Sequence, residues 1–318
     1  MNLSELPICV EKTHSNTDIE SKISKLDSIQ TAAFMTDTLW DNFTTLKVSF
    51  FQLPSEDKMP TWYTFEQVLM GAPSGTKIDP IEYEARKISN LNDIVKYVIQ
   101  KKLEPLVNIK FDWVDNTADG DIRVAFDTTK GSWSYVGRQC LTANRNEQTV
   151  NFGWLDVGTI IHEFCHVLGM IHEHQNPYGK GIDWNVDAVY EWASETQGWD
   201  EQTTYNNIIK KYDKNMINGS NFDPRSIMLY FYPAELTNNN KGTYANHTLS
   251  VTDSNWLSSV YPKSGNRKFP TRGQGGTLIF EEKGDEGEKG KDKKPTISWY
   301  IIIGVILILI ILILIFFK

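Results

Sequence analysis

"HEFCHVLGMIHEH", residues 162–174, holds four of the chain's six histidines. At 3.6 residues per helical turn, positions four apart share one face. His162 and His166 can therefore aim two imidazole nitrogens at one ion, and Glu163 stands beside it, placed to take a proton from an attacking water. The preceding "VGTII" (157–161) provides a start for the helix, with Thr159 as N-cap. Gly169, three residues after His166, can take the left-handed conformation that ends a helix, so that His172 returns to the ion from outside it. Three histidines leave a fourth position open, which is the arrangement of a catalytic zinc; a structural site would be closed by four protein ligands. Cys165 lies about 100° around the helix from His166 and about 60° from His162, on the side away from the direction the two share, and should face away from the ion. His174 falls outside this geometry and reads as an exposed loop histidine, and His14 and His247 have no partner pattern. A bare HExxH arises by chance in roughly 1% of chains this long; the added glycine and third histidine lower that by about three orders of magnitude.

The rest of the composition is that of a globular protein with an appended tail. Hydrophobic residues make up 40% and charged residues 23%, while the net charge of −8 argues against a nucleic-acid partner. Three scattered cysteines (Cys9, Cys140, Cys165) are no disulfide framework and fit a reducing compartment. The N-terminus has no basic start followed by an apolar core, so no cleavable signal is read there.

Residues 1–38 are polar and read as a leader or prosegment. "TLKVSFF" (45–51), "VNIKFDW" (107–113) and "DIRVAF" (121–126) alternate with period two and predict strands. Apolar positions from Ile88 to Leu103 recur at three- and four-residue spacing and predict an amphipathic helix, ended by Pro105. Residues 170–262 are rich in Asn, Gly and Pro, with helices expected near 186–197 and 253–260. The fold class is α+β, a mixed sheet with helices and an irregular C-terminal lobe, over residues 39–262. Residues 263–296 read as a charged, Gly-rich linker that cannot bury enough apolar surface to fold. Residues 297–317 carry no charged side chain and, as a helix, would span about 31 Å, the thickness of a bilayer's hydrocarbon core. Lys289, Lys291, Lys293 and Lys294 precede this run and only Lys318 follows it. That charge bias predicts a single-pass, C-terminally anchored protein whose folded domain faces the cytoplasm.

The residues "GTIIHEFCHVLGMIHEH", with Glu173 directly after the third histidine, and "SIMLY" (226–230) resemble the astacin-like branch of the metzincin zinc endopeptidases. The resemblance extends through "GSWSYVGR" (131–138) and "LSVTDSNWLSSVYP" (249–262) and covers about 40–262. It implies a two-lobed metzincin-like domain with one catalytic Zn2+, a protein or peptide substrate, and Glu163 as general base. It further implies that Met228 forms an apolar floor beneath the metal. Tyr230 would be an extra zinc ligand that swings away to stabilise the oxyanion, and "DIRVAF" would be the sheet edge that pairs with the substrate. Members of the family carry cysteines near Ser132 and Trp154, and the corresponding disulfides cannot form here. The intact Glu163 favours an enzyme over the alternative, a catalytically silent module that binds a partner protein at a membrane.

Overall fold

A computed structural model describes residues 34–265, 270–272 and 278–280. The expectations for Cys9, His14, most of the leader and the apolar run 297–317 lie outside the described residues. Among the described residues, no helix is long and apolar enough to cross a membrane.

The chain opens with β1 (Phe34–Met35), β2 (Thr45–Phe50), α1 (Phe65–Leu69), α2 (Pro80–Ala85) and α3 (Leu91–Lys102). There follow β3 (Lys110–Trp113), β4 (Ile122–Ala125), β5 (Trp133–Ser134), β6 (Val150–Asn151) and α4 (Val157–Val167). The second half holds α5 (Val186–Gln197), α6 (Glu201–Thr204), β7 (Ile217–Asn218), α7 (Val251–Val260), β8 (Pro270–Arg272) and β9 (Leu278–Phe280).

Five strands form one mixed sheet in the order β3-β2-β4-β6-β5. β2 pairs parallel with β3 and β4, β4 pairs parallel with β6, and β5 alone runs antiparallel, against β6. The period-two pattern places Leu46 and Val48 inside and leaves Thr45 and Lys47 exposed. β4, the "DIRVAF" strand, is flanked on both sides and so cannot be the substrate-pairing edge expected from the resemblance. The edge strands are β3 and β5, and β5, Trp133–Ser134, is the antiparallel one that follows β4 in the chain.

Helices α3 and α4 cover the sheet through one continuous core. Ile94, Val95, Val98 and Ile99 of α3 are buried in it with Ile160, Ile161 and Phe164 of α4, and Phe164 meets Phe111 edge-on at 5.8 Å between ring centres. α3 starts three residues later than the apolar spacing suggests because the Asn90 side chain caps it, accepting from Asn92 and Asp93 N–H. A smaller cluster around Trp184, Val189, Trp192 and Tyr232 holds the Asn- and Gly-rich half.

Two boundaries move. β1 pairs antiparallel with β7, Phe34 is fully buried, and Met35 N–H donates to Gly169 O at 3.0 Å, so ordered structure begins before residue 39. Within the segment read as linker, β8 and β9 pair antiparallel.

Candidate active site

The site is built on α4, whose start differs from the expectation. Asp156, not Thr159, is the N-cap: its Oδ1 accepts from Thr159 N–H at 2.8 Å and its Oδ2 from the Thr159 hydroxyl at 2.6 Å. The buried carboxylate of Glu82 accepts from Val157 N–H at 2.7 Å, which adds negative charge at the positive end of the helix. Burial raises the Glu82 pKa; the Val157 N–H and Arg86 oppose that.

The C-terminus of α4 ends as the sequence requires. Gly169 has φ +94°, its N–H donates to His166 O at 2.8 Å, and Met170 N–H donates to Cys165 O at 2.9 Å, the paired bonds of a Schellman motif. A Cβ at this position would also lie 2.7 Å from Leu39 Cδ2. The carbonyls freed at the helix end are taken by Trp40 Nε1, which donates to Val167 O at 2.7 Å, and by the Tyr261 hydroxyl, which donates to Leu168 O at 2.8 Å.

This reversal brings His162, His166 and His172 together, all buried, with a ring nitrogen from each within 4.8 Å of the others. His162 Nδ1 lies 2.8 Å from Ile227 O and His166 Nδ1 lies 2.8 Å from Met170 O. A carbonyl only accepts, so each Nδ1 must carry its proton, and each Nε2 is left with a lone pair. The Nε2 atoms of His166 and His172 face each other at 3.0 Å. Burial drives the His162 pKa down to about 4 against the pull of the Ile227 carbonyl, and lowers that of His172 as well, so both rings are neutral at pH 7. Buried, neutral imidazoles with converging lone pairs are a donor set that fits Zn2+.

Tyr230 joins this group. Its hydroxyl contacts His172 Nε2 and lies 3.5 Å from His162 Nε2, and its ring stacks on His162 at 5.3 Å. Glu163 is fully buried on α4 directly beside His162. Met228 is buried in the main core, in the loop whose Ile227 carbonyl holds His162. Glu173 fastens that loop to the third ligand: its N–H donates to Met228 O at 2.9 Å, and its Oε1 accepts from Asn176 Nδ2 and Asp223 N–H at 2.9 and 2.7 Å. Burial raises the Glu173 pKa well above the ordinary carboxylate value, with those two bonds opposing.

His174 is buried, not the exposed loop residue the sequence suggested. Its ring lies 5.3 Å from His172 and 5.7 Å from Tyr230, and its Nε2 bonds Asn207 O at 2.9 Å. His174 sits in a short 3-10 turn, Glu173–Gln175, that begins directly after His172. No periodicity in the sequence marks that turn, so nothing local placed His174 inward. Cys165 packs in the core away from the histidines, and Cys140 and Cys165 are both free and buried. In place of a disulfide, Gly153 N–H donates to Ser132 Oγ at 3.1 Å.

Asp253 supports the whole loop. Its carboxylate accepts from Ser226 Oγ, Ile227 N–H and Ser250 N–H at 2.8, 2.8 and 2.9 Å, one peptide away from the carbonyl that holds His162. Sequence reasoning assigned it no role, although its place three residues after Ser250 is the pattern of a capping box.

A helix-borne histidine pair, a third histidine returned past a glycine turn and an adjoining tyrosine define a metzincin-type zinc metallopeptidase centre. The sequence profile of the astacin peptidase family matches residues 79–254. The chain belongs to the astacin family of zinc metalloendopeptidases. It is similar to zinc metalloproteinase nas-4 of Caenorhabditis elegans, at 31% identity over 103 residues, which is 32% of this chain and 28% of that protein. Zinc metalloproteinase nas-17 of the same organism is 33% identical over 100 residues, 30% of this chain and 22% of its own. The chain thus matches under a third of the length of these curated relatives. The structure of myroilysin superposes with a TM-score of 0.57 at 30% identity, over 73% of this chain and 99% of that one.

Replacing Asp253 with alanine strands three donors in the interior at about 1–3 kcal/mol each and loosens the carbonyl that orients His162. Asp253→Ala is expected to lower zinc affinity by about 10- to 100-fold, read by chelator competition, and to lower the unfolding temperature.

Proposed function

We propose that this chain is a zinc-dependent endopeptidase that hydrolyses peptide bonds of protein substrates, held close to a membrane. The observation that carries the reading is the convergence of His162, His166 and His172 beside Glu163. Bound at these histidines, zinc supplies Lewis-acid polarisation of the scissile carbonyl and acidifies the attacking water. Glu163 takes the proton of that water and then delivers it to the leaving amine. The Tyr230 hydroxyl leaves His172 and donates to the oxyanion of the tetrahedral intermediate. The outer strand β5 pairs with the backbone of an extended peptide and sets it across the centre. The low-dielectric surroundings of the buried Glu163 and histidines strengthen each of these interactions.

The membrane part of the reading is supported by sequence. The uncharged run 297–317 is, as a helix, long enough to cross a bilayer, and the lysines that precede it support an orientation with the folded domain on the cytoplasmic side. Neutral, unpaired Cys140 and Cys165 accord with a reducing compartment.

Glu163→Ala is expected to retain zinc at one equivalent, measured by metal analysis, while peptide cleavage falls at least about 10²- to 10⁴-fold; undiminished turnover contradicts the role. In sealed vesicles made from expressing cells, an added protease should digest a domain that faces outward on the cytoplasmic side. Digestion only after lysis contradicts that orientation.

A further inference from the structure

The geometry points to a substrate subsite formed by Tyr63 and Trp154 that selects an aromatic side chain in the peptide. This inference deepens the peptidase reading and rests on it. The two rings are stacked, with centres 5.6 Å apart and planes within 4° of parallel, and both are only half-buried. A flat, partly exposed pair of parallel rings is an adhesive surface for a third ring.

The pair is held in place before any ligand arrives. Tyr63 N–H donates to Leu155 O at 2.9 Å, and Arg86 donates to Tyr63 O, so the Tyr63 backbone is clamped from both sides. Trp154 Nε1 donates to the Thr159 hydroxyl at 3.0 Å, and that hydroxyl is bonded in turn to the N-cap Asp156. Preorganisation of this kind lowers the ordering cost of binding.

The position suits a side chain of a bound peptide. Thr159 lies four residues before Glu163 on α4, so the anchored indole and the general base share one face, about 6 Å apart along the axis. On the other side, a Cβ at Gly131 would lie 4.0 Å from the Trp154 ring, and Gly131 leads directly into the outer strand β5. An extended peptide paired with β5 and crossing beside Glu163 therefore passes the stack. Tyr63 lies before the 79–254 match to the family profile, so half of this platform comes from a segment outside that match.

The test is an unbiased peptide library cleaved by the full-length zinc-loaded protein, followed by paired peptides with phenylalanine or alanine at the enriched position. Wild type is expected to favour the phenylalanine peptide about tenfold in kcat/KM. In Tyr63→Ala the ratio should collapse to within about twofold of one, and in Tyr63→Phe it should be retained. Trp154→Phe should keep part of the preference. Absence of aromatic enrichment at every position, or an undiminished ratio in Tyr63→Ala at equal zinc content, overturns the inference. Binding of the same labelled peptides to Glu163→Ala separates selection from catalysis. A tenfold tighter phenylalanine peptide that loses its advantage in the Glu163→Ala/Tyr63→Ala double variant supports the subsite even if wild type cleaves nothing, an outcome that would sink the peptidase reading alone; equal binding of both peptides overturns the subsite.

Discussion

Two bonds from imidazole Nδ1–H groups to backbone carbonyls, His162 to Ile227 and His166 to Met170, are the constraint on which the site depends. Each fixes a tautomer and a ring orientation, and together they leave unprotonated Nε2 atoms converging with that of His172. The carbonyls come from different places. Met170 O is delivered by the glycine turn at the end of α4, and Ile227 O by a loop more than fifty residues on. That loop is pinned in turn by Asp253 at the start of α7 and by Glu173 next to the third histidine. The metal centre is thus the meeting point of three segments, and its geometry is set by backbone positions rather than by side-chain freedom.

The fold exists to hold those segments. α4 carries its ligands on one face and packs the opposite residues, Ile160, Ile161, Phe164 and Cys165, into the core over the sheet. Its N-terminus is satisfied by Asp156 and Glu82 and its C-terminus by Trp40 and Tyr261, which are far apart in sequence. A helix tied at both ends cannot slide or rotate, and burial keeps the imidazoles of His162 and His172 neutral.

Local signals accounted for much of this in the sequence. The i, i+4 histidines, the glycine three residues on and the period-two strands expected at 45–51, 107–113 and 121–126 depend only on nearest-neighbour geometry; the structure brings the histidines together and places strands at 45–50, 110–113 and 122–125. What failed depended on tertiary context. The strand order of the sheet put β4 in the interior, because nothing in "DIRVAF" records which strands will flank it. Phe34 belongs to the core through pairing with residues 217 and 218, a contact invisible to any local window. His174 lies beyond the helical motif, yet the 3-10 turn after His172 carries it inward against His172 and Tyr230. The short helix α2 has a local signal too, Asp79 as cap and Pro80 in the first turn, but its six residues are too few to show an apolar period.

The central claim is that three histidines, and no cysteine, hold one zinc ion with a position open to water. X-ray absorption at the zinc edge of the purified full-length protein tests it most directly. The account predicts only nitrogen and oxygen neighbours at about 2.0–2.2 Å. A sulfur neighbour at about 2.3 Å would place a cysteine on the metal and contradict it.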